Sequence, residues 1–265
     1  MVNPWKEKRV LITRPQGSAD EMAAAIRQRG AIPVFLPCIY RAPLRLAETL
    51  KIKWKVHFDF DWIFFTSAHA VRRFRETLSE AGITPPPDTR VAAIGQKTAG
   101  AAREAGFRVD FVLDSGDSVQ LARAFLAQGL TVMRVLHPTG RQADGALERI
   151  LQQAGISCLR VDLYENQPCL TLENLKEALD HQPDVLTFFS GSAVHAFFRC
   201  LEDTMSASIA GVPLVVLGKQ TASVAQSYKH PAQPLIIAPE TTLQGMLDAL
   251  DRLFAELALN ENEGV

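Results

Sequence analysis

The chain has 265 residues, is 47% hydrophobic and 22% charged, and carries a formal net charge of −1. That length suits two domains of about 130 residues, each able to bury its own core. The charge balance gives no general pull toward nucleic acid or an anionic membrane, and apolar runs such as WIFF and VLTFF fall far short of the roughly 20 residues that a membrane-spanning helix needs.

In chain order, MVNPWKEKRVLITRP passes from polar residues straight into a strand-like run, without the apolar segment and small-residue cleavage site of a secretion signal, so a cytoplasmic protein is expected. RVLIT (9–13) reads as the first buried strand and 18–29 as the first helix. DWIFFT (61–66) is followed by a helix at 68–80, RVAAI (90–94) by one at 96–105 and VDFVL (109–113) by one at 118–127. TVMRVL (131–136) precedes 142–154, DVLTFF (184–189) precedes 193–202, PLVVL (213–217) precedes 219–228, and PLIIA (234–238) precedes 242–257. The strands are short and rich in β-branched and aromatic residues, whereas the helices space their apolar residues by three and four. Strand then helix, repeated, predicts a parallel α/β sheet. RQRGA, SEAGI, REAGF and QQAGI each place Gly where a helix stops, as a left-handed C-terminal turn favours.

The same phrases occur twice. At an offset of 123, Asp61 meets Asp184, Phe65 meets Phe188, Ser67 meets Ser190, Ala70 meets Ala193, Val71 meets Val194 and Phe74 meets Phe197; further on, Gly95, Thr98 and Ala99 meet Gly218, Thr221 and Ala222. An offset of 125 lays RVLITRP on RVLHPTG and continues from Gly30 with Gly155 to Ile39 with Tyr164. Three ordered blocks argue for an internal duplication.

In each copy two strands end in a short turn that opens a helix: FTSAHAV and AIGQKTA in one, FFSGSAV and LGKQTA in the other. The free amides and dipole of a helix N-terminus attract anions, and Ser67, Ser190, Ser192, Thr98 and Thr221 add hydroxyls. A Ser or Thr in this position also serves as an ordinary helix cap. Four such termini predict a ligand with several negative groups, held between the two halves. Neither copy is GxGxxG or GxxxxGK[ST], so dinucleotide and P-loop readings lose their main support.

Arg14 follows the first strand on the same edge and can take a carboxylate through two parallel bonds, the bland reading being a loop-anchoring ion pair. Arg141 stands at the equivalent point after RVLHPTG, and Tyr164 ends the strand-like run RVDLYENQP. The six histidines lack HxxxH or HExxH spacing, so no metal is expected. No GxSxG elbow is present. Arg72, Arg73 and Arg75 in AVRRFRE read as a solvated helix face, and Cys38, Cys158, Cys169 and Cys200, without CxxC spacing, read as reduced packing thiols.

The ordered set ITRP (12–15), FTSAHAV (65–71), AIGQKTA (93–99), DLYE (162–165), FFSGSAV (188–194) and LGKQTA (217–222) resembles the uroporphyrinogen-III synthase family over about residues 9–250. Two departures are visible: His69 stands where the family often has Asn or another small polar residue, and TGRQADGALERIL, around Arg141, lacks the Arg-Gly pair common before that helix. The resemblance implies two pseudo-duplicated, doubly wound parallel-sheet (flavodoxin-like) α/β domains joined by a two-stranded linker. One domain would be 1–37 with 172–265, the other 45–160 inserted within it, and the linker strands 38–44 and 161–171.

The implied reaction is that of a cyclising hydro-lyase. It closes the linear tetrapyrrole hydroxymethylbilane, inverting the last pyrrole, to give uroporphyrinogen III without a cofactor. Tyr164 would assist departure of the terminal hydroxyl, while Arg14, Ser67, Thr98, Arg141, Ser190, Gly191, Ser192, Lys219 and Thr221 would hold the carboxylate-rich substrate. The expected state is a cytoplasmic monomer that binds neither nucleic acid nor membrane and touches the preceding pathway enzyme only transiently. The alternatives are a non-catalytic two-domain binder or sensor of a polycarboxylate or phosphorylated small molecule, and a sugar-phosphate or nucleotide enzyme on the same kind of sheet.

Overall fold

The computed structural model describes residues 3–15, 17–130, 132–201 and 203–263. Thr131, where a strand is expected to begin, and Glu202, where a helix is expected to end, lie outside the described residues. The chain divides into two compact units, Met1–Tyr40 with Gln167–Val265, and Arg41–Asn166.

The elements run β1 (Arg9–Ile12), α1 (Asp20–Gln28), β2 (Ile32–Phe35), β3 (Ile39–Pro43), α2 (Glu48–Val56), β4 (Trp62–Phe65), α3 (Ala68–Ala81), β5 (Arg90–Ile94), α4 (Gly95–Glu104), β6 (Arg108–Leu113), α5 (Ser118–Leu126) and β7 (Arg134–Gly140). They continue with α6 (Ala146–Gln153), β8 (Ser157–Pro168), α7 (Leu172–Asp180), β9 (Val185–Phe188), α8 (Gly191–Cys200), α9 (Asp203–Ile209), β10 (Leu214–Val216), α10 (Gly218–Gln226), β11 (Leu235–Ile237) and α11 (Leu243–Glu263). All eight runs expected as strands overlap one, the run 131–136 meeting β7 only from Arg134. The pattern missed β2, which lies at a sheet edge with Ile32 and Phe35 exposed, β3, which only the resemblance offered as a linker strand, and the helices α2, α7 and α9.

Among the described residues there are two sheets, one ordered β11-β10-β9-β1-β2 and the other β3-β8-β7-β4-β5-β6. Every strand pair in the first is parallel, as are the pairs β8/β7, β7/β4, β4/β5 and β5/β6 in the second. Strand periodicity sends alternate residues to opposite faces. In the first unit Leu11, Leu186 and Phe188 pack with residues of α7, α8 and α10, while Val10, Ile12, Val185 and Val215 pack with α1 and α11. In the second, Ile63, Phe65 and Leu136 face α2, α3 and α4, while Trp62, Phe64 and Val135 face α5 and α6. Each unit is therefore a sheet covered on both faces, as a parallel sheet requires.

The repeat maps onto this topology with an exchange. Under the offsets of 123 and 125, β7, β8, β4, β5 and β6 correspond to β1, β2, β9, β10 and β11, and both sheets then share the order 2-1-3-4-5. Each unit takes its strands 1 and 2 from one sequence repeat and its strands 3, 4 and 5 from the other. Asp61 and Asp184 mark the exchange: an Asp61 carboxylate oxygen accepts from the amides of Met133 and Arg134 at 2.9 Å, and its counterpart Asp184 accepts from the amide of Arg9 at 2.6 Å. In each unit the carboxylate before strand 3 thus holds the start of strand 1 from the other repeat. Asp184→Ala and Asp61→Ala should each cost about 1 kcal/mol, read as a lower urea midpoint at unchanged m-value.

The glycines ending RQRGA, SEAGI, REAGF and QQAGI all have positive φ, between 63° and 89°. Helix α6 starts at Ala146 rather than at 142, because Asp144 accepts from the Ala146 amide and Gly145 is left-handed at φ 71°, making 141–145 a loop. The expectation of a fully solvated AVRRFRE face fails at Arg73, whose side chain is only 12% exposed and is ion-paired with Glu76 and Glu80; Arg72 and Arg75 are exposed. All four cysteines are free thiols; Cys38 is buried, and Cys169 is exposed rather than a packing residue. Among the described residues no helix is long and apolar enough to cross a membrane.

Candidate functional site

In a sheet of order 2-1-3-4-5 the crevice for a ligand lies at the carboxyl ends of strands 1 and 3, where the winding reverses. In the first unit those ends belong to β1 and β9. The two strands are locked there by reciprocal buried bonds: the Thr13 hydroxyl donates to the Thr187 carbonyl at 2.7 Å and the Thr187 hydroxyl to the Leu11 carbonyl at 2.8 Å. Beyond them the Arg14 guanidinium lies 4.3 Å from the centroid of the Phe189 ring, so the end of β1 meets the end of β9 through a cation–π contact. Ser190 caps α8, accepting from the Ala193 amide at 3.3 Å, and its oxygen is 3.0 Å from that of Ser192. Gly191 leaves room for a neighbouring helix, since a Cβ there would meet the Val224 side chain at 3.0 Å.

The neighbouring terminus, that of α10, has no side-chain cap. Gly218 enters it at φ 80°, Lys219 is exposed in its first turn, and Thr221 is buried. Its counterpart α4 also lacks a side-chain cap and also buries its threonine, Thr98. There, however, Gln96 donates to the Asp114 carboxylate at 3.0 Å, whereas the residue 123 positions further on is Ile237. The duplicated phrase is therefore the same in backbone and different in charge.

The second unit's crevice lies at the ends of β7 and β4. Ser67 caps α3, accepting from the Ala70 amide at 3.1 Å. Strands β7 and β8 stay in register from Arg134 with Ser157 to Thr139 with Asp162, then slip by one so that Gly140 faces Tyr164. The extra residue, Leu163, is buried in the core, and the bulge sets Tyr164 against the backbone of Gly140. The approach is close: a Cβ on Gly140 would lie 2.7 Å from the Tyr164 ring.

The loop after β7 is held from below. Arg160 donates to the carbonyls of Gly140 at 3.1 Å, Arg141 at 2.8 Å and Ala143 at 2.7 Å, and is itself paired with Asp162 at 2.7 Å. The Arg141 amide donates to the Tyr164 carbonyl at 2.9 Å, while its guanidinium is paired with Glu165. Deeper still, His137 Nδ1 meets the Glu148 carboxylate at 2.8 Å. Burial pushes that carboxyl up, but the His137 bond, its own helix amide and the nearby Arg160 outweigh it, leaving it below the usual carboxylate range.

One residue of this site was not expected. His69, in the first turn of α3, meets Tyr164 with ring centroids 4.5 Å apart and planes at 86°. Burial, then the fields of Arg41 on β3 and Arg72 on α3, push its imidazole down to about 4; Arg73 adds to the shift and Glu76 opposes it. His69 is thus neutral near pH 7. The folded pKa lies below the ordinary 6.5, so the unfolded chain takes up the proton first and stability falls as pH drops from about 6.5 towards 4. His69→Asn should remove that share of the acid sensitivity, measured as the difference in Tm between pH 7 and pH 4.5. The signal was present in FTSAHAV, where a histidine sits two residues past a strand-end serine on the edge that also carries the end of β8.

Of the expected residues, Arg14, Ser190, Gly191 and Ser192 gather at the first unit's crevice, with Lys219 and Thr221 on the adjoining terminus. Tyr164, Arg141 and Ser67 belong to the second unit's crevice, with Thr98 on the terminus beside it. Among the described residues no group of three or more His, Cys, Asp and Glu side chains could hold a metal ion.

Two flavodoxin-like units, each doubly wound and each with a polar crevice where its winding reverses, define a duplicated α/β protein. The family model described as Uroporphyrinogen-III synthase HemD matches residues 20–248, and the chain belongs to the uroporphyrinogen-III synthase family. It is 27% identical to the uroporphyrinogen-III synthase of Synechococcus elongatus over 263 residues, covering 94% of this chain and 96% of that one. It is 28% identical to the porphyrin biosynthesis protein HemD of Ruminiclostridium josui, again over 94% of this chain, but spans about half (49%) of that longer protein. Among solved structures, uroporphyrinogen-III synthetase from Helicobacter pylori superposes with a TM-score of 0.60 at 19% identity, covering 93% of this chain and 99% of that one, which shows the shared fold.

Proposed function

We propose that this chain closes hydroxymethylbilane to uroporphyrinogen III, inverting the last pyrrole ring, with Tyr164 as the proton donor at the reacting end. Family membership supports the reaction. The observation that carries the residue assignment is the seat of Tyr164: it faces Gly140, the end of β7, at the second unit's crevice, and its hydroxyl has no hydrogen-bond partner among the described residues. The net reaction loses water and forms a carbon–carbon bond without a change of oxidation state, so proton movement and geometry suffice.

In the first step the C–O bond of the terminal hydroxymethyl group breaks, pushed by the nitrogen lone pair of its own pyrrole. The oxygen leaves as water, with the proton from Tyr164, and an azafulvene remains. The substituted carbon of the last pyrrole attacks it to form a spiro centre, which opens and recloses with that ring inverted. The proton then lost from a pyrrole restores the phenol. Folding the chain for spiro attack supplies the selectivity, because simple closure gives the non-inverted isomer I.

The carboxylates would be held by the termini of α4, α8, α10 and α3 with Ser67, Thr98, Ser190, Gly191, Ser192 and Thr221, and by Arg14, Lys219 and Arg141, the last exchanging its bond to Glu165. The same reading makes the protein a cytoplasmic monomer that meets the enzyme supplying its substrate only transiently, to be checked by light scattering alone and in mixture. The test of the reaction is freshly generated hydroxymethylbilane plus purified protein, with the products oxidised and separated. Isomer III in excess is expected; isomer I alone overturns the reading.

A further inference from the structure

We propose that His69 is a positioning residue for this reaction: its ring, with the backbone of Gly140, fixes the direction in which the Tyr164 phenol points. The inference rests on the role given to Tyr164 above and adds what holds that side chain in place. Tyr164 is half-buried, and its hydroxyl has no partner among the described residues, so no hydrogen bond sets its orientation. Tyr164 packs against the buried core of its unit, and two further contacts bear on its ring. The Gly140 backbone approaches so closely that an added Cβ would overlap the ring, and His69 meets it edge to face, a favoured aromatic geometry.

Both contacts are built on rigid elements. His69 stands in the first turn of α3, which Ser67 caps and Phe74 and Leu78 bury, and Gly140 ends β7, where Arg160 holds its carbonyl together with those of Arg141 and Ala143. A neutral ring suits the task, since it offers an aromatic edge without bringing a further cation beside Arg41 and Arg72.

The experiment is a double-mutant cycle on the full chain, read as kcat, KM and the ratio of isomers III to I. His69→Ala is expected to lower kcat about tenfold with KM within about twofold, and to raise the share of isomer I as spontaneous closure competes. His69→Phe, which keeps the ring and loses the nitrogens, should recover kcat to within about twofold. In a Tyr164→Phe background His69→Ala should change kcat by less than about twofold, because a residue acting through the hydroxyl has nothing left to position. Near-wild-type kcat in His69→Ala, or an undiminished loss in the Tyr164→Phe background, overturns the positioning role while leaving the proposed reaction standing. An unimpaired Tyr164→Phe removes the role of Tyr164 and this inference with it, and a wild-type chain that makes no isomer III removes the reaction itself.

Discussion

Tyr164→Phe is expected to lower kcat about 10²-fold, the usual share of a single positioned general acid. KM should change little, since the phenol serves the leaving hydroxyl rather than the carboxylates that anchor the substrate. The product mixture should shift towards isomer I, because spontaneous closure now competes with a slower enzyme. Stability should stay close to that of the wild type: the hydroxyl has no partner among the described residues, so its removal leaves no polar atom stranded. Product separation and a melting curve on the same preparation check both halves. Wild-type turnover would remove Tyr164 from the mechanism.

Gly140→Ala is the second large effect. The new methyl would lie 2.7 Å from one ring carbon of Tyr164 and 3.0 Å from another, so the ring has to move. It cannot move freely, because His69 stands against it and the bulge after Thr139 fixes its backbone. Overpacking of this kind costs about 1–3 kcal/mol. Activity should fall at least as far as in Tyr164→Phe, since a displacement of about 1 Å at the reacting group is enough to lose roughly 10²-fold. In a Tyr164→Ala background Gly140→Ala should add no further loss of stability, since the clash is gone, and the activity should be no higher than in Tyr164→Phe. A chain with Gly140→Ala that retains wild-type turnover would show that the ring has room to spare.

The residues that made the repeat visible turn out to be packing residues. Phe65 and Phe188, Val71 and Val194, and Phe74 and Phe197 are all fully buried, so equal offsets report two copies of one core. Core positions are legible in sequence because burial restricts them to apolar types at fixed spacing. The exchange of strands between repeats is not legible that way: Val10 pairs with Val185, and a partner 175 residues away leaves no trace in a local pattern. The resemblance, not the periodicity, pointed to a discontinuous arrangement. Strand β2 escaped notice because it is a sheet edge, where alternation is weak.

Within the site, strand ends and helix starts located Arg14, Ser67, Ser190 and Tyr164, because a parallel sheet puts all of them on its carboxyl edge. Their partners were hidden. That Glu165 holds Arg141, that Arg160 supports the loop before α6, and that Asp114 faces the start of α4 through Gln96 all depend on side chains brought together by the fold. His69 looked like a departure from a family pattern. Its meaning came from one ring contact, which requires the bulge in β8 that no sequence rule places.

The exchanged strands also impose an order on synthesis. A ribosome that has released residues 1–130 has made six strands, β1 to β6, and completed neither sheet. The first strand set that can close by itself is β4 to β8, available once Asn166 has emerged, and until then β1 and β2 have only each other. The edge of β1 waits for β9 at Val185, and the outermost strand, β11, arrives only at Leu235. An unpaired parallel edge held open for that long is a site for misassociation. For this chain the hazard falls on the amino-terminal segment, whose partner strand β9 begins only at Val185.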